Sequence, residues 1–152
     1  MDNVTYRTAV SDDLPGIIGM LADDALGSRR EDVSLPPNAR YTASFDAINQ
    51  DPNQLLVVTE VGQILAGCLQ LTLIPGLSRL GMWRGQIESV RIAARFRGQG
   101  LGSEMVEWAI AECHRRGCGL VQLTTDKDRK DALRFYTALG FTASHEGLKL
   151  IL

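Results

Sequence analysis

Cysteine and histidine are scarce, with three cysteines and two histidines among 152 residues. Cys68, Cys113 and Cys118 are odd in number and lack CxxC spacing, which argues against both a disulfide framework and a zinc site. Cys68 falls in an apolar strand-like run and Cys113 on an apparent helix, so the cysteines read as small core residues. An excess of charge is also missing. Sixteen basic residues stand against 18 acidic ones, a net charge of −2, and no basic stripe is present to hold a nucleic-acid backbone. Long apolar runs are absent too: Leu55-Leu56-Val57-Val58 is far shorter than the ~20 residues of a membrane-spanning helix. Met1-Asp2-Asn3 shows neither the basic start nor the apolar stretch of a secretory signal. The expectation is a cytoplasmic protein without a nucleic-acid, membrane or metal partner.

What is present suits one globular domain over residues 1–152, since 45% of residues are hydrophobic and 22% charged. Val4 to Val10 alternates apolar and polar side chains as a half-buried strand does. Ser11-Asp12-Asp13 offers helix caps, with Pro15 tolerated in the first turn. Leu14, Ile17, Ile18, Leu21, Ala22 and Ala25 then recur at helical spacing up to Gly27. Residues 28–40 predict a loop, and Thr42 to Asn49 a second short helix. Leu55 to Glu60 and Gln63 to Leu73 predict a hairpin about Val61-Gly62-Gln63, and Met82 to Ile92 a third strand of that meander. Leu101, Met105, Val106, Ala109, Ile110 and Cys113 mark a long amphipathic helix closed by Gly117. A strand over Leu120 to Thr125, a helix over Asp131 to Leu139 and two last strands, Phe141 to Ser144 and Leu148 to Ile151, complete the order β-α-α-β-β-β-α-β-α-β-β. Such an order implies an α/β class built on a mixed sheet covered by helices.

The most informative segment is Arg95-Phe96-Arg97-Gly98-Gln99-Gly100-Leu101-Gly102-Ser103, between a predicted strand and the long helix. Glycines there permit a tight turn and close approach of backbone to a ligand. The first helical turn offers free N–H groups and a positive dipole end, which suit a phosphate or pyrophosphate. Arg97, with Arg95, would add charge-assisted bonds. The spacing is neither the G-x-G-x-x-G of a dinucleotide fold nor a P-loop, which needs Lys before Ser. A glycine-rich connection that holds no ligand is the alternative.

Arg97-Gly98-Gln99-Gly100-Leu101-Gly102 resembles the Q/R-x-x-G-x-G/A signature of the GCN5-related N-acetyltransferase (GNAT) superfamily. Ala132 to Phe141 is similar to its A-x-x-F-Y-x-x-L-G-F segment, and the element order agrees from Val4 onward. The resemblance implies a central mixed sheet that splays apart between its fourth and fifth strands, with acetyl-coenzyme A in the opening. Backbone groups near Val90 and Ile92 would pair with the pantetheine arm, and amides from Gly98 to Ser103, namely Gly98, Gln99, Gly100, Leu101, Gly102 and Ser103, would hold the pyrophosphate. Many relatives carry an asparagine before the fourth helix. Asp126-Lys127-Asp128-Arg129-Lys130 stands here instead, from which Arg129 or Lys130 would reach a cofactor phosphate or simply face solvent. Pairing of two copies through the last strands or the sheet edge is implied as well.

Acetyl transfer needs a neutral amine, although an alkylammonium has a pKa of roughly 10.4. It also needs a donor for the oxyanion and a proton or hydrogen bond for the leaving thiolate. Glu88, on the strand expected to line the opening, is the candidate base, the alternative being a solvated carboxylate or a partner of Arg91. Tyr136 is the candidate acid, the alternative being an aromatic on the buried side of its helix. The Val90 N–H as oxyanion donor follows from the resemblance. His114 and His145 read as surface residues, Trp83 and Trp108 as packing residues. The expected acceptor is an amine on a small molecule. A protein lysine or N-terminus, or a regulator that binds acetyl-coenzyme A without turnover, are the competing readings.

Overall fold

The computed structural model describes residues 3–152, so the opening Met1-Asp2 lies outside the described residues. Five strands lie in sequence order across one sheet: β1 (Val4–Thr8), β2 (Gln54–Val61), β3 (Ile64–Ile74), β4 (Trp83–Ile92) and β5 (Cys118–Gln122). The first four pair antiparallel, and β5 joins β4 in parallel. Four helices cover the sheet: α1 (Leu14–Ala22), α2 (Ala39–Gln50), α3 (Leu101–Arg115) and α4 (Lys130–Ala138). A parallel neighbour requires a crossover, and α3 supplies it. This is the mixed, helix-covered α/β sheet that the element order implied.

Strand alternation divides the core between the two faces of the sheet. Leu56, Val58 and Cys68 point to one face, where Ile17, Ile18 and Met20 of α1 and Phe45 of α2 bury them. Val57, Leu69, Leu71 and Ile87 point to the other, against Met105, Val106, Ala109 and Cys113 of α3. Burial pushes the thiols of Cys68 and Cys113 up to about 12, so these two are core residues and not nucleophiles. Trp108 packs as expected, stacked on Tyr6 with ring centroids 5.3 Å apart. Trp83 does not, being 38% exposed.

Local chemistry explains the boundaries. Gly62 and Gln63 both take positive φ, at 56° and 69°, the two-residue turn that matches the twist of a hairpin. The second helix begins earlier than its apolar spacing suggests because the Asn38 side chain caps it, accepting from Arg40 N at 3.0 Å. The first helix stops earlier than Gly27, and the Asp24 carboxylate accepts from the Gly27 amide in the turn beyond it. Arg7 on β1 bonds both Asp13 before α1 and Glu60 on β2.

Two expected strands do not form. Phe141–Ser144 and Leu148–Ile151 are irregular, and β5 ends at Gln122 instead of Thr125. Alternating apolar residues give a segment one oily face, but a strand also needs a neighbour for its backbone groups. Within the described chain, 141–152 has none.

Candidate functional site

The site grows from the way β4 leaves β5. Their pairing runs from Trp83↔Cys118 to Gln86↔Gln122, yet β4 continues to Ile92. From Ile87 onward its outer edge therefore has no neighbouring strand, and the sheet opens between its fourth and fifth strands. A bulge shapes the far end of β4. Gln70 pairs with Glu88 and Cys68 with Arg91, so Ser89 and Val90 oppose Leu69 alone, with Ser89 at φ 55°. A bulge of this kind bends a strand and re-aims its groups. Here it brings Glu88 and Arg91 to the same face of the sheet.

The carbonyls of Val90 and Ile92 face the open edge. Val90 O accepts from Arg91 Nη1 at 2.8 Å, and Ile92 O from Arg97 Nε at 3.0 Å. These arginine bonds leave the edge available to an extended ligand that brings its own amides. Five residues beyond Ile92 comes the glycine turn. Gly98 and Gly100 adopt φ of 72° and 85°, and a Cβ on either would meet nothing within 4 Å. Their need for glycine is thus conformational, and the space above them is open. Gly100 is the N-cap of the 15-residue α3. No backbone acceptor is found among the described residues for the amides of 98–103, as is usual for a first turn. Unpaired amides, open space and a helix N-terminus are together the features that a phosphate group needs in a binding site.

A cavity of about 270 Å³ adjoins this edge, lined by Asp23, Asp24, Val90, Arg91, Ile92, Arg97 and Arg129. Arg97 spans it to Asp23 at 2.9 Å. The Arg129 guanidinium bonds Asp24, and Arg91 approaches the same carboxylate at 3.9 Å. The Gly27 amide, followed by Arg129 and Arg91, holds the Asp24 carboxyl below its ordinary range. Burial and the neighbouring Arg129 push Arg91 down, and its Nε is buried without a partner. Arg129 thus shares a cavity with Val90, Ile92 and Arg97. A second cavity, of about 230 Å³ between α2 and β2, is lined by Phe45, Ile48 and Leu56 among others, and none of the expected site residues borders it.

The structure treats the two catalytic candidates differently. Glu88 is exposed and paired with Gln70 across the sheet, not with Arg91. Tyr136 is half-buried on α4 between Phe135 and Phe141, at ring distances of 4.9 and 5.8 Å. Burial, the larger influence, pushes its phenol up, while Arg91 and Arg129 pull it down. Of the remaining candidates, His114 lies in the last turn of α3 and His145 bonds its neighbour Ser144 at 2.7 Å. Asp126 accepts from Arg30 at 3.2 Å, tying its loop to the turn after α1.

Three features escaped the sequence reading. The Ser89 bulge has no sequence signal, since serine is not a residue that announces positive φ. The Asp24–Arg91–Arg129 cluster joins three distant segments. The third is a polar row across the sheet: Gln54↔Thr72, Thr72↔Gln86 and Gln86↔Gln122 are register partners on four strands. Gln54 Oε1 accepts from Thr72 Oγ1 at 2.8 Å and from Gln70 Nε2 at 3.1 Å, and Gln122 donates to Gln86 at 2.8 Å. Polar positions two apart on each predicted strand (Gln70 and Thr72, Gln86 and Glu88) were its one available signal.

Comparison with known proteins gives concordant results. The model of the "Acetyltransferase (GNAT) family" matches residues 22–141. The aminoalkylphosphonate N-acetyltransferase of Salmonella typhimurium is 38% identical over 63 residues, 41% of this chain and 41% of that protein. The mycothiol acetyltransferase of Corynebacterium urealyticum is 32% identical over 124 residues, 75% of this chain and 35% of that protein. The chain thus matches about two fifths or less of the length of these relatives. A crystal structure described as a transcriptional regulator from Bacillus halodurans C-125 superposes with a TM-score of 0.95 at 49% identity, over 99% of this chain and 100% of that one.

Proposed function

The chain belongs to the acetyltransferase (GNAT) family, and from that premise we propose that it transfers the acetyl group of acetyl-coenzyme A directly to a primary amine on a small molecule. The observation that carries this reading is the continuity of the open β4 edge with the glycine turn. The pantetheine arm would exchange the arginine bonds at Val90 O and Ile92 O for its own amides. The pyrophosphate would rest on the amides of Gly98, Gln99, Gly100, Leu101, Gly102 and Ser103, with Arg97 and Arg129 as counter-charges.

The amine would enter on the face that carries Glu88 and the Gln54–Thr72–Gln86–Gln122 row. Neutral amides and a hydroxyl there suit a hydroxylated or amide-bearing acceptor. The Salmonella relative is named for a small amine, an aminoalkylphosphonate, which supports a small acceptor. Glu88 takes the proton from the ammonium, directly or through water. The nitrogen then bonds the acetyl carbon, with the oxyanion on the Val90 N–H. As the C–S bond breaks, the thiolate receives the Tyr136 proton, and the extra proton on the newly bonded nitrogen passes through water to restore the phenol, leaving a neutral amide and a free thiol. No metal enters this scheme, and among the described residues no group of three or more His, Cys, Asp or Glu could hold one.

Three free cysteines, two of them buried, suit a reducing compartment such as the cytoplasm. Among the described residues no helix is long and apolar enough to cross a membrane. Two copies would associate as a homodimer. One observation favours a second reading: the 49% identical structure is described as a transcriptional regulator, so binding of acetyl-coenzyme A without turnover is the alternative.

Initial rates with acetyl-coenzyme A and a panel of amines test both readings. Glu88→Gln and Tyr136→Phe should each lower kcat by about 10²–10⁴, the usual contribution of a general acid or base. Wild-type turnover in both variants would discard the mechanism. Tight cofactor binding with no acetylation across the panel would favour the regulator.

A further inference from the structure

The polar row of Gln54, Thr72, Gln86 and Gln122 shares its face of the sheet with Glu88, opposite the buried Leu69, Leu71 and Ile87. On the row's face α1 lies over β3 and β4, and α2 over β2. The cover is incomplete: Gln70, Thr72 and Gln86 are half-buried and Glu88 is exposed. A shallow polar floor therefore leads from Glu88 on β4 to Gln70, its register partner on β3. From there the Gln70 amide bonds Gln54 on β2. Two strand spacings across and two residues along come to roughly 12 Å.

At the end of this floor Gln54 borders the cavity between α2 and β2. That cavity measures about 230 Å³, with the buried Ala9, Phe45 and Leu56 and the half-buried Ile48 in its wall. Apolar space of about 150 Å³ accommodates a benzene ring, so a phenyl-sized group fits. Its charged neighbours are engaged elsewhere. The Asp51 carboxylate accepts from the Asn53 amide at 2.8 Å, and Arg116 donates to Glu112 at 2.7 Å and to Pro52 O. An ionic group would lose its water there against an apolar wall, which selects a neutral occupant. The floor, by contrast, has spare hydrogen-bonding capacity. Gln54 Oε1 accepts from both Thr72 and Gln70, and Gln86 Oε1 from Gln122. The Nε2 groups of Gln54 and Gln86 are the donors left for a ligand carbonyl.

We propose that this cavity holds the far end of the acceptor, a neutral apolar group of about phenyl size. A carbonyl-bearing middle lying along Gln86, Gln70 and Gln54 joins that group to the reacting amine at Glu88. The inference rests on the amine-acceptor reading above and adds what the acceptor carries at its other end. Burial of the apolar group supplies affinity, and the polar row sets its distance from the nitrogen.

Two amines test this: 5-amino-N-benzylpentanamide, whose nitrogen and ring lie about 12 Å apart when extended, and 5-amino-N-methylpentanamide, which lacks the ring. The benzyl amide should have a KM about 10–100-fold lower, as burial of an aromatic group implies. A para-carboxylate on its ring should abolish that advantage. The exposed Asn49 of α2 also lines the cavity. Asn49→Trp should fill it and bring the benzyl amide to the KM of the methyl amide, with KM for acetyl-coenzyme A unchanged. Gln50→Trp, beside it but outside the cavity, should behave as wild type. Equal KM for the two amides in wild type, or an advantage that survives Asn49→Trp, overturns the subsite and leaves acetyl transfer standing. If neither amide is acetylated, or Asn49→Trp does not fold, binding to the wild-type complex with coenzyme A decides. Backbone resonance changes at Ala9, Ile48 and Leu56 with the benzyl amide and not with the methyl amide support the subsite, and their absence overturns it. Turnover across a panel of amines judges acetyl transfer separately.

Discussion

Gly100→Asp separates what the turn needs from what the ligand needs. Gly100 sits at φ 85° with open space around its Cβ position, so a side chain there meets no steric obstacle in the free protein. The left-handed backbone costs about 1–2 kcal/mol for a residue with a Cβ. Asp recovers about 0.3–1 kcal/mol of that, because a carboxylate at a helix N-terminus faces the positive dipole end. The net loss is roughly 0–1.7 kcal/mol, or at most about 7 °C in Tm at about 2–4 °C per kcal/mol for a domain of this size. Acetyl-coenzyme A at about a hundred times its Kd should add about 2.7 kcal/mol to the wild type, an upward shift of about 5–11 °C. In the variant a carboxylate stands where the pyrophosphate would lie, and the shift should disappear. Thermal unfolding of both proteins with and without ligand gives all four values. Gly100→Ala supplies the control, with the backbone cost but no charge. A variant that melts near the wild type and keeps the full ligand shift would refute the assignment of the turn to the pyrophosphate.

Two further outcomes follow from named contacts. Bonds from Arg115, supported by Arg116, lower the Glu112 carboxyl from an ordinary 4.5 to about 2. A depressed acid stabilises the fold above its unfolded pKa, and that contribution fades as the pH falls from about 4.5 through 2. Glu112→Gln should therefore be less stable than wild type at neutral pH and level with it near pH 2, as urea titrations across this window would register. Gln86→Leu removes the acceptor of the Gln122 amide from the middle of the polar row. It should raise KM for the amine while leaving KM for acetyl-coenzyme A unchanged, and the reverse pattern would remove the row from the acceptor site.

Much of the architecture was legible because its signals are local. Gly62 beside Gln63, the apolar stripe from Leu101 to Cys113 and the spacing of Gly98, Gly100 and Gly102 each carry their meaning within a few residues. The opening of the sheet after Gln86 was legible only through the family resemblance, since no residue of β4 announces where its pairing ends. The Ser89 bulge, the glutamine row and the Asp24–Arg91–Arg129 cluster depend on register and on which segments meet, and these are properties of the assembled sheet. The two absent strands make the same point from the other side. Phe141–Ser144 and Leu148–Ile151 have strand-like patterns, but a pattern specifies a face and leaves the partner open.

The most direct test of the central claim is to titrate acetyl-coenzyme A into isotopically labelled protein and follow the backbone amide resonances. The account predicts that the largest changes fall on Val90, Ile92 and the run from Gly98 to Ser103, with smaller ones at Arg129 and Tyr136. Changes centred on the cavity between α2 and β2, or none at saturating ligand, would contradict it.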